Sequence, residues 1–199
     1  MKHISLKIAA LAISLFGAGP LWAQDAALPV RNCNWCHGVS AQGYSTAPRI
    51  AGQRAQYIEK QFSVFRSHMR DNPYSQKFMW NAVANLTPET ARELAAYYAT
   101  LPPQSANDGN RDLVAAGRSL YEEGNPEANV VACIVCHGPK GEGVREIPRL
   151  GGLSSIYVKR RLEQWNEGYH AAAKRMEMVS RTLSAHDVEA IASYLSFVE

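Results

Sequence analysis

Two short motifs place a pair of thiols beside an imidazole at the same spacing. Each has the pattern Cys-x-x-Cys-His-Gly, and the reactive residues are Cys33, Cys36 and His37 in the first copy and Cys133, Cys136 and His137 in the second. This pattern is the attachment signature of c-type haem, in which the thiols add across two vinyl groups and the imidazole binds the iron. A redox dithiol does not require the histidine, and a zinc site needs more ligands than this pattern organises. We therefore expect two covalently bound haem c groups, with their iron held by the two histidines.

The two motifs belong to an internal repeat. They lie 100 residues apart, and the same offset relates the Pro-Arg-x-x-Gly segments that begin at Pro48 and Pro148. Further along the chain, Met79 and Met176 each precede a leucine by seven residues. A match that extends over this length indicates a duplicated domain.

Helical patterns surround the motifs in both copies. Helices are predicted from Tyr57 to about Arg66, from Pro88 to about Thr100 after the cap Thr87, from Asp112 to Glu123, from Ile156 to about Asn166, and after the cap Ser184. No run alternates well enough to predict a strand. The sequence therefore predicts an all-α fold with domains at 24–101 and 111–199, joined by a short polar, proline-containing linker at 102–110. Each domain is small enough to need a large apolar group in its core, so we expect it to wrap around one haem.

Residues 1–23 have the features of a secretory signal peptide. A positively charged start precedes an apolar run, and Ala23 is a small residue suited to cleavage. An uncleaved anchor is the alternative, although the run is short for a bilayer. Cleavage removes two lysines and no acidic residue, which takes the formal charge from +3 to +1. That balance does not suggest nucleic acid as a partner, and we expect a periplasmic protein without direct membrane insertion after cleavage.

With these motifs the chain resembles the class I cytochromes c, and specifically their dihaem relatives of the cytochrome c4 type. The resemblance covers nearly the whole mature chain. It implies that the backbone carbonyls of Pro48 and Pro148 accept hydrogen bonds from the iron-binding imidazoles. It also implies that Met79 and Met176 are the distal iron ligands, which would raise the reduction potentials. For the second haem, His170 and Met178 stay open as alternatives to Met176.

Basic residues invite two further interpretations. The repeat places Arg49 and Arg149 beside the proximal prolines, so they are candidates for pairing a haem propionate. Other basic residues cluster in the distal regions, at Arg66, Arg70, 159–161, Lys174 and Arg175. These clusters are either solvated helix faces or a rim that steers electron-transfer partners.

The first copy departs from the class I pattern at its N-terminus. Such domains begin with a helix that crosses the last helix, and the predicted helix at Asp112–Glu123 fits this role in the second copy. Only nine residues separate the predicted cleavage site from the first motif, which leaves no room for an equivalent. We therefore expect the apolar side of Leu94, Tyr97 and Tyr98 to be covered by the second domain or by a partner subunit.

The resemblance implies an electron carrier and not an enzyme, because two six-coordinate irons leave no open position for substrate. Its expected partners are redox proteins, either membrane-bound respiratory complexes or a periplasmic dehydrogenase. One alternative is a cytochrome subunit of an oxidoreductase or oxidase complex. A dihaem peroxidase is a second alternative, and it would need a vacant or exchangeable iron site.

Overall fold

The computed structural model describes residues 27–199, which form helices, turns and loops. The predicted signal peptide lies outside the described residues. The α-helices are α1 (Ala27–His37), α2 (Ala55–Arg66), α3 (Trp80–Val83), α4 (Pro88–Thr100), α5 (Val114–Glu122), α6 (Ile134–His137), α7 (Ser155–Asn166), α8 (Lys174–Ser180) and α9 (Ala185–Phe197). A π-helical turn at Ser75–Met79 leads into α3, and short 3₁₀ turns lie at Arg111–Leu113, Pro126–Ala128 and Ala171–Ala173. Within residues 27–199 there is no β-strand, only two isolated bridges, and no helix is both long and apolar enough to cross a membrane.

The predicted helix starts are confirmed where a capping residue marked them. The Thr87 side chain accepts a hydrogen bond from the Thr90 backbone at the start of α4. The Ser184 side chain accepts from the Asp187 backbone, and the Asp187 carboxylate accepts from the Ser184 backbone in return. Such reciprocal bonds satisfy amide groups that have no partner in the first turn of a helix, so they fix where it begins.

Buried apolar side chains form two clusters, one in each half of the chain. The first includes Phe62, Phe65, Leu94 and Tyr98, with Cys33 and Met79 packed against it. The second includes Tyr121, Leu162, Ile191 and Leu195, with Cys133 and Met176 packed against it. Each cluster thus gathers a motif cysteine and a predicted distal methionine against one core.

The N-terminal helices of the two halves differ in form. In the second half α5 packs closely against α9, and the buried Gly117 allows α5 to approach the Ala190 backbone. In the first half α1 runs directly into the Cys-x-x-Cys-His motif, and its Val30 packs on the first cluster.

The prediction that the apolar side of α4 lacks cover from its own domain was wrong for two of its three residues. Leu94 is 3% exposed and Tyr98 is fully buried. The Tyr98 hydroxyl lies within hydrogen-bonding distance of Asn34 Oδ1 and Val30 O, both on α1. Tyr97 remains 41% exposed. The stretch before the first motif was too short for a separate helix, but residues 27–32 extend the motif helix, and that extension covers α4.

Candidate functional site

The first motif histidine is oriented by the backbone of a proline. His37 ends α1 and is 7% exposed. Its Nδ1 lies 2.7 Å from the carbonyl oxygen of Pro48. Because a carbonyl oxygen only accepts, Nδ1 must carry the hydrogen, and the lone pair of Nε2 is left available to bind a metal. Burial is the main cause that lowers the pKa of His37, which favours the neutral, ligating form.

The second motif repeats this arrangement. His137 ends α6, is 7% exposed, and its Nδ1 lies 3.0 Å from the carbonyl oxygen of Pro148. The loops that place the two prolines are also equivalent. Gly43 and Gly143 donate to the carbonyls of His37 and His137 at 2.7 Å and 2.8 Å. Both glycines have positive φ, and a Cβ at either would collide with the backbone of the neighbouring proline.

The four cysteines are unpaired and flank these histidines. Cys36 and Cys136 are exposed, whereas Cys33 and Cys133 are half-buried. Burial raises the pKa of Cys33, and it raises the pKa of Cys133 to about 11. A reactive redox dithiol needs a lowered thiol pKa, so this environment does not fit one. Among residues 27–199 no group of three or more His, Cys, Asp or Glu side chains is arranged to hold a metal ion.

The methionines divide into packed and exposed residues. Met79 ends the π-helical turn and packs on the first cluster, and Met176 lies in α8 and packs on the second. Met69 is 48% exposed and Met178 is 71% exposed. The two repeat-equivalent methionines are therefore the ones that face the cores holding Cys33 and Cys133.

The remaining histidines have other surroundings. His170 is 6% exposed, and its Nδ1 lies 3.0 Å from Arg161 Nη2. A guanidinium only donates, so His170 Nδ1 accepts. Burial, followed by the charges of Arg70 and Arg161, lowers the pKa of His170 to about 3. His68 is exposed and stacks on Trp80 at 3.9 Å, and His186 is exposed on α9.

Several buried nitrogen donors around the two cores lack an acceptor. Arg49 is 6% exposed, and its Nη1 and Nη2 donate to the carbonyl oxygens of Gln104, Gly151 and Gly152. Its Nε has no partner, and neither do Arg149 Nε and Trp165 Nε1. Buried donors of this kind require an acceptor, and the carboxylates of haem propionates would supply one. The free Nε2 of each motif histidine, the four unpaired thiols and these orphaned donors together fit haem c.

The basic residues of the distal regions do not form one solvated rim. Arg70 and Arg161 are 7% and 6% exposed, so neither interpretation offered by the sequence holds for them. Arg160 donates to the backbone carbonyls of Ser45 and Thr46 in the first half. The prediction failed because spacing along the chain does not show which helix face the other half of the molecule covers.

Hydrogen bonds between the two halves were also absent from the sequence prediction. Besides Arg49, the Gln53 side chain pairs with both backbone groups of Arg149, at 2.7 Å and 3.0 Å. The Arg54 guanidinium donates to the carbonyl oxygens of Glu142 and Gly143. Most of these acceptors are backbone atoms, which carry no residue-type signal, so no sequence pattern could have identified them.

Comparison with known proteins agrees with this architecture. Residues 114–198 match the family model described as Cytochrome c. A cytochrome c4 from Thiocapsa roseopersicina is 34% identical over 82% of this chain and 85% of that protein. A thiosulfate dehydrogenase electron acceptor from Stutzerimonas stutzeri (strain A1501) is 35% identical over 83% of this chain and 78% of that protein.

Solved structures give the same result. The cytochrome c4 of Acidithiobacillus ferrooxidans superposes with a TM-score of 0.79 and 26% identity, over 84% of this chain and 99% of that one. A chain of the thiosulfate dehydrogenase from Marichromatium purpuratum gives a TM-score of 0.73 and 33% identity, over 82% of this chain and 36% of that longer chain. The protein therefore belongs to the cytochrome c4 family of dihaem electron carriers, built from two class I cytochrome c domains with covalently bound haem c.

Proposed function

We propose that this cytochrome works in the periplasm and carries one haem in each half. Cys33, Cys36 and His37 would attach and ligate the first haem, and Cys133, Cys136 and His137 the second. The observation that carries the assignment is the repeated contact between a motif histidine and a proline carbonyl, at 2.7 Å and 3.0 Å. It orients both imidazoles and leaves Nε2 of each free to bind iron.

The chain's own residues then have distinct tasks. When bound, each haem c supplies an iron that takes up or releases one electron. Met79 and Met176 would provide the soft thioether ligands, which favour ferrous iron. Arg49 and Arg149 would hold propionates through their unpaired Nε atoms. The two apolar clusters exclude water from both sites, which keeps the dielectric constant low around the redox centres.

The interface between the halves supports transfer of electrons within one molecule. Arg49, Gln53 and Arg54 of the first half all bond to backbone atoms of the linker or the second half. Backbone acceptors cannot change rotamer, so these bonds hold the two sites in one relative orientation. An electron that enters one half can then reach the other without a second encounter.

A periplasmic dehydrogenase is the donor that the comparisons support best. Two relatives are named as electron acceptors of thiosulfate dehydrogenase, and they come from different organisms. Apolar residues are exposed around both motifs, with Trp35 89%, Val39 91% and Val135 75% exposed. Because Cys36 and Cys136 are exposed beside them, these residues would give a redox partner a small apolar contact close to each haem. The signal peptide predicted from the sequence supports export to the compartment where such a dehydrogenase would act.

Expression of the full chain in a host that matures c-type cytochromes tests the assignment. We expect two haems per chain by alkaline pyridine spectroscopy, and a mass that corresponds to cleavage near Ala23 plus two haem groups. Replacement of Cys33 and Cys36 by Ser should leave one haem per chain, and replacement of Cys133 and Cys136 should remove the other. A colourless mature protein with four free or mutually bridged sulfurs would exclude the proposal.

A second candidate function is a permanent subunit of a dehydrogenase complex. It is supported by the Marichromatium purpuratum thiosulfate dehydrogenase, in which the matching region is 36% of a longer chain. Size-exclusion chromatography of extracts from the native organism distinguishes the two functions. A free shuttle should elute as a small haem protein, whereas a subunit should elute in stoichiometric complex with its dehydrogenase.

A further inference from the structure

A guanidinium lies buried against an aromatic ring in each half of the molecule. Arg70 lies over Phe65 at 4.8 Å, and Arg161 lies over Trp165 at 4.7 Å. The two aromatic residues are equivalent in the repeat, because they lie 100 residues apart. Phe65 belongs to the first cluster and Trp165 packs against the second, and the predicted distal methionine of each half packs against the same cluster.

The two arginines, in contrast, come from different positions in the repeat. Arg70 follows α2, whereas Arg161 lies within α7, before its aromatic partner. At the offset of 100 residues, the position of Arg161 is occupied in the first half by Gln61, and the position of Arg70 is occupied in the second half by His170. The second half has therefore kept a stacked guanidinium although the arginine stands elsewhere in its sequence.

Neutral groups hold both guanidinium groups. Arg70 Nη1 donates to Gln61 Oε1 at 2.5 Å, and Arg161 Nη1 donates to Gln164 Oε1 at 2.5 Å. Their Nη2 atoms bond to the Tyr157 hydroxyl and to His170 Nδ1, both at 3.0 Å. Five ion pairs occur within residues 27–199, and neither arginine takes part in any of them.

Neither buried guanidinium takes part in an ion pair, and the two are close enough for the charge of Arg70 to affect Arg161. Burial lowers the pKa of Arg161 to about 10, and the charge of Arg70 is the next cause. A charge in a low-dielectric interior needs an anion or a full set of polar partners. The same places also hold donors without an acceptor, namely Arg70 Nε and Trp165 Nε1. A stacked guanidinium with an unpaired N–H donor beside it is suited to bind a carboxylate.

We propose that Arg70 and Arg161 bind haem propionates, one arginine for each haem, and that Arg161 performs in the second half the task of Arg70 in the first. The inference rests on the proposed function, because it takes the two haems as given. It adds a propionate site for each half to Arg49 and Arg149, and it assigns the second one to a residue without a repeat equivalent.

Reduction potentials test the assignment without an activity measurement. A guanidinium beside a propionate opposes its negative charge and so favours ferrous iron. In Arg161→Gln, which installs the residue found at the equivalent first-half position, we expect the ferrous-to-ferric ratio of one haem to fall about tenfold at a fixed potential, a shift of about 59 mV. Arg161→Lys keeps the charge and should retain most of the wild-type potential. Arg70→Gln should lower the potential of the other haem.

Arg118→Gln is the matched control, because it removes one positive charge from an exposed site on α5 of the second half. The proposal would be overturned if Arg161→Gln shifted the potentials no more than this control, with both haems attached. It would also be overturned if the effect of Arg161 depended on added chloride or phosphate, since the counter-ion would then be a solution anion. Chains without haem would instead contradict the proposed function itself.

The wild-type protein provides a second test should Arg161→Gln fail to fold. A propionate paired with a buried guanidinium stays ionised, so both potentials should be nearly flat from about pH 5 to pH 8. A slope approaching 59 mV per pH unit in either haem would show that a carboxylate near it takes up a proton on reduction, and it would exclude such pairing.

Discussion

The Nδ1 atom of His37 donates a hydrogen bond of 2.7 Å to the carbonyl oxygen of Pro48. In the proposed haem site this bond would make the imidazole a more electron-rich ligand, which would stabilise ferric iron. In Pro48→Ala the backbone gains freedom and the bond weakens. With a loss of about 1 kcal/mol, the potential of the first haem should rise by roughly 40 mV. Potentiometric titration checks this, with Pro126→Ala, at an exposed turn, as the control. A fall in potential would contradict the assigned role of Pro48.

Met79 and Met176 are expected to be the distal ligands of the two haems. Met79→Ala and Met176→Ala should each abolish, for one haem, the weak red absorption band of methionine-ligated ferric iron. The potential of that haem should fall by roughly 0.1 V or more, within the ~0.8 V range that axial ligands control. The exposed Met69 and Met178 provide controls, and their replacement by Ala should leave both bands in place. If Met178→Ala removed a band and Met176→Ala did not, the ligand in the second half would be Met178.

Arg49 should contribute to the cohesion of the two halves. Its guanidinium donates to three carbonyl oxygens of the linker and the second half and is 6% exposed. Arg49→Ala leaves these acceptors without a donor, so we expect the free energy of unfolding to fall by about 2–4 kcal/mol. Denaturation of the holoprotein in guanidinium chloride measures the change. Arg92→Ala is the control, because Arg92 makes only an exposed ion pair with Glu89 and should cost less than about 0.5 kcal/mol.

His170 should make the folded protein sensitive to acid. Burial, and next the charges of Arg70 and Arg161, lower its pKa from 6.5 to about 3. Between these two values the unfolded chain binds a proton that the folded chain does not, so the free energy of unfolding falls as the pH falls from about 6.5 towards 3. His170→Gln keeps an acceptor for Arg161 and does not titrate.

Comparison of unfolding at pH 7 and pH 4 tests this sign. The wild-type protein should lose on the order of 3 kcal/mol more than His170→Gln over that interval. The exposed His186 supplies the control, since His186→Gln should lose as much as the wild type. Equal losses in the wild type and His170→Gln would show that folding does not lower the pKa of His170.

Local chemistry explains what could be predicted from the sequence. Capping by Thr87 and Ser184 fixes where α4 and α9 begin, since those bonds join residues three positions apart. The spacing of Cys33, Cys36 and His37 follows from the size of the porphyrin edge, and the repeat supplied its second copy. Each of these features depends on residues a few positions apart in the chain, so the sequence was sufficient to predict them.

The extension of the first motif into α1 depended on more distant residues. The short stretch before Cys33 carried little helical signal in the sequence, yet α1 forms and covers Tyr98. Its stability comes from packing against α4, some sixty residues further along the chain. A sequence pattern within the residues before Cys33 could not show that they pack against α4.

The amino-acid sequence by itself predicted the haem attachment sites and the duplication, and it determined the capped starts of α4 and α9, because each depends on spacing along the chain. Only the tertiary structure decided which arginines are buried and which groups they bond to. Arg49 bonds to Gly151 and Gly152, more than one hundred residues away, and Arg70 reaches Tyr157. Whether a charged side chain is solvated or buried depends on which residues of the other half pack against it. That packing is a property of the three-dimensional structure.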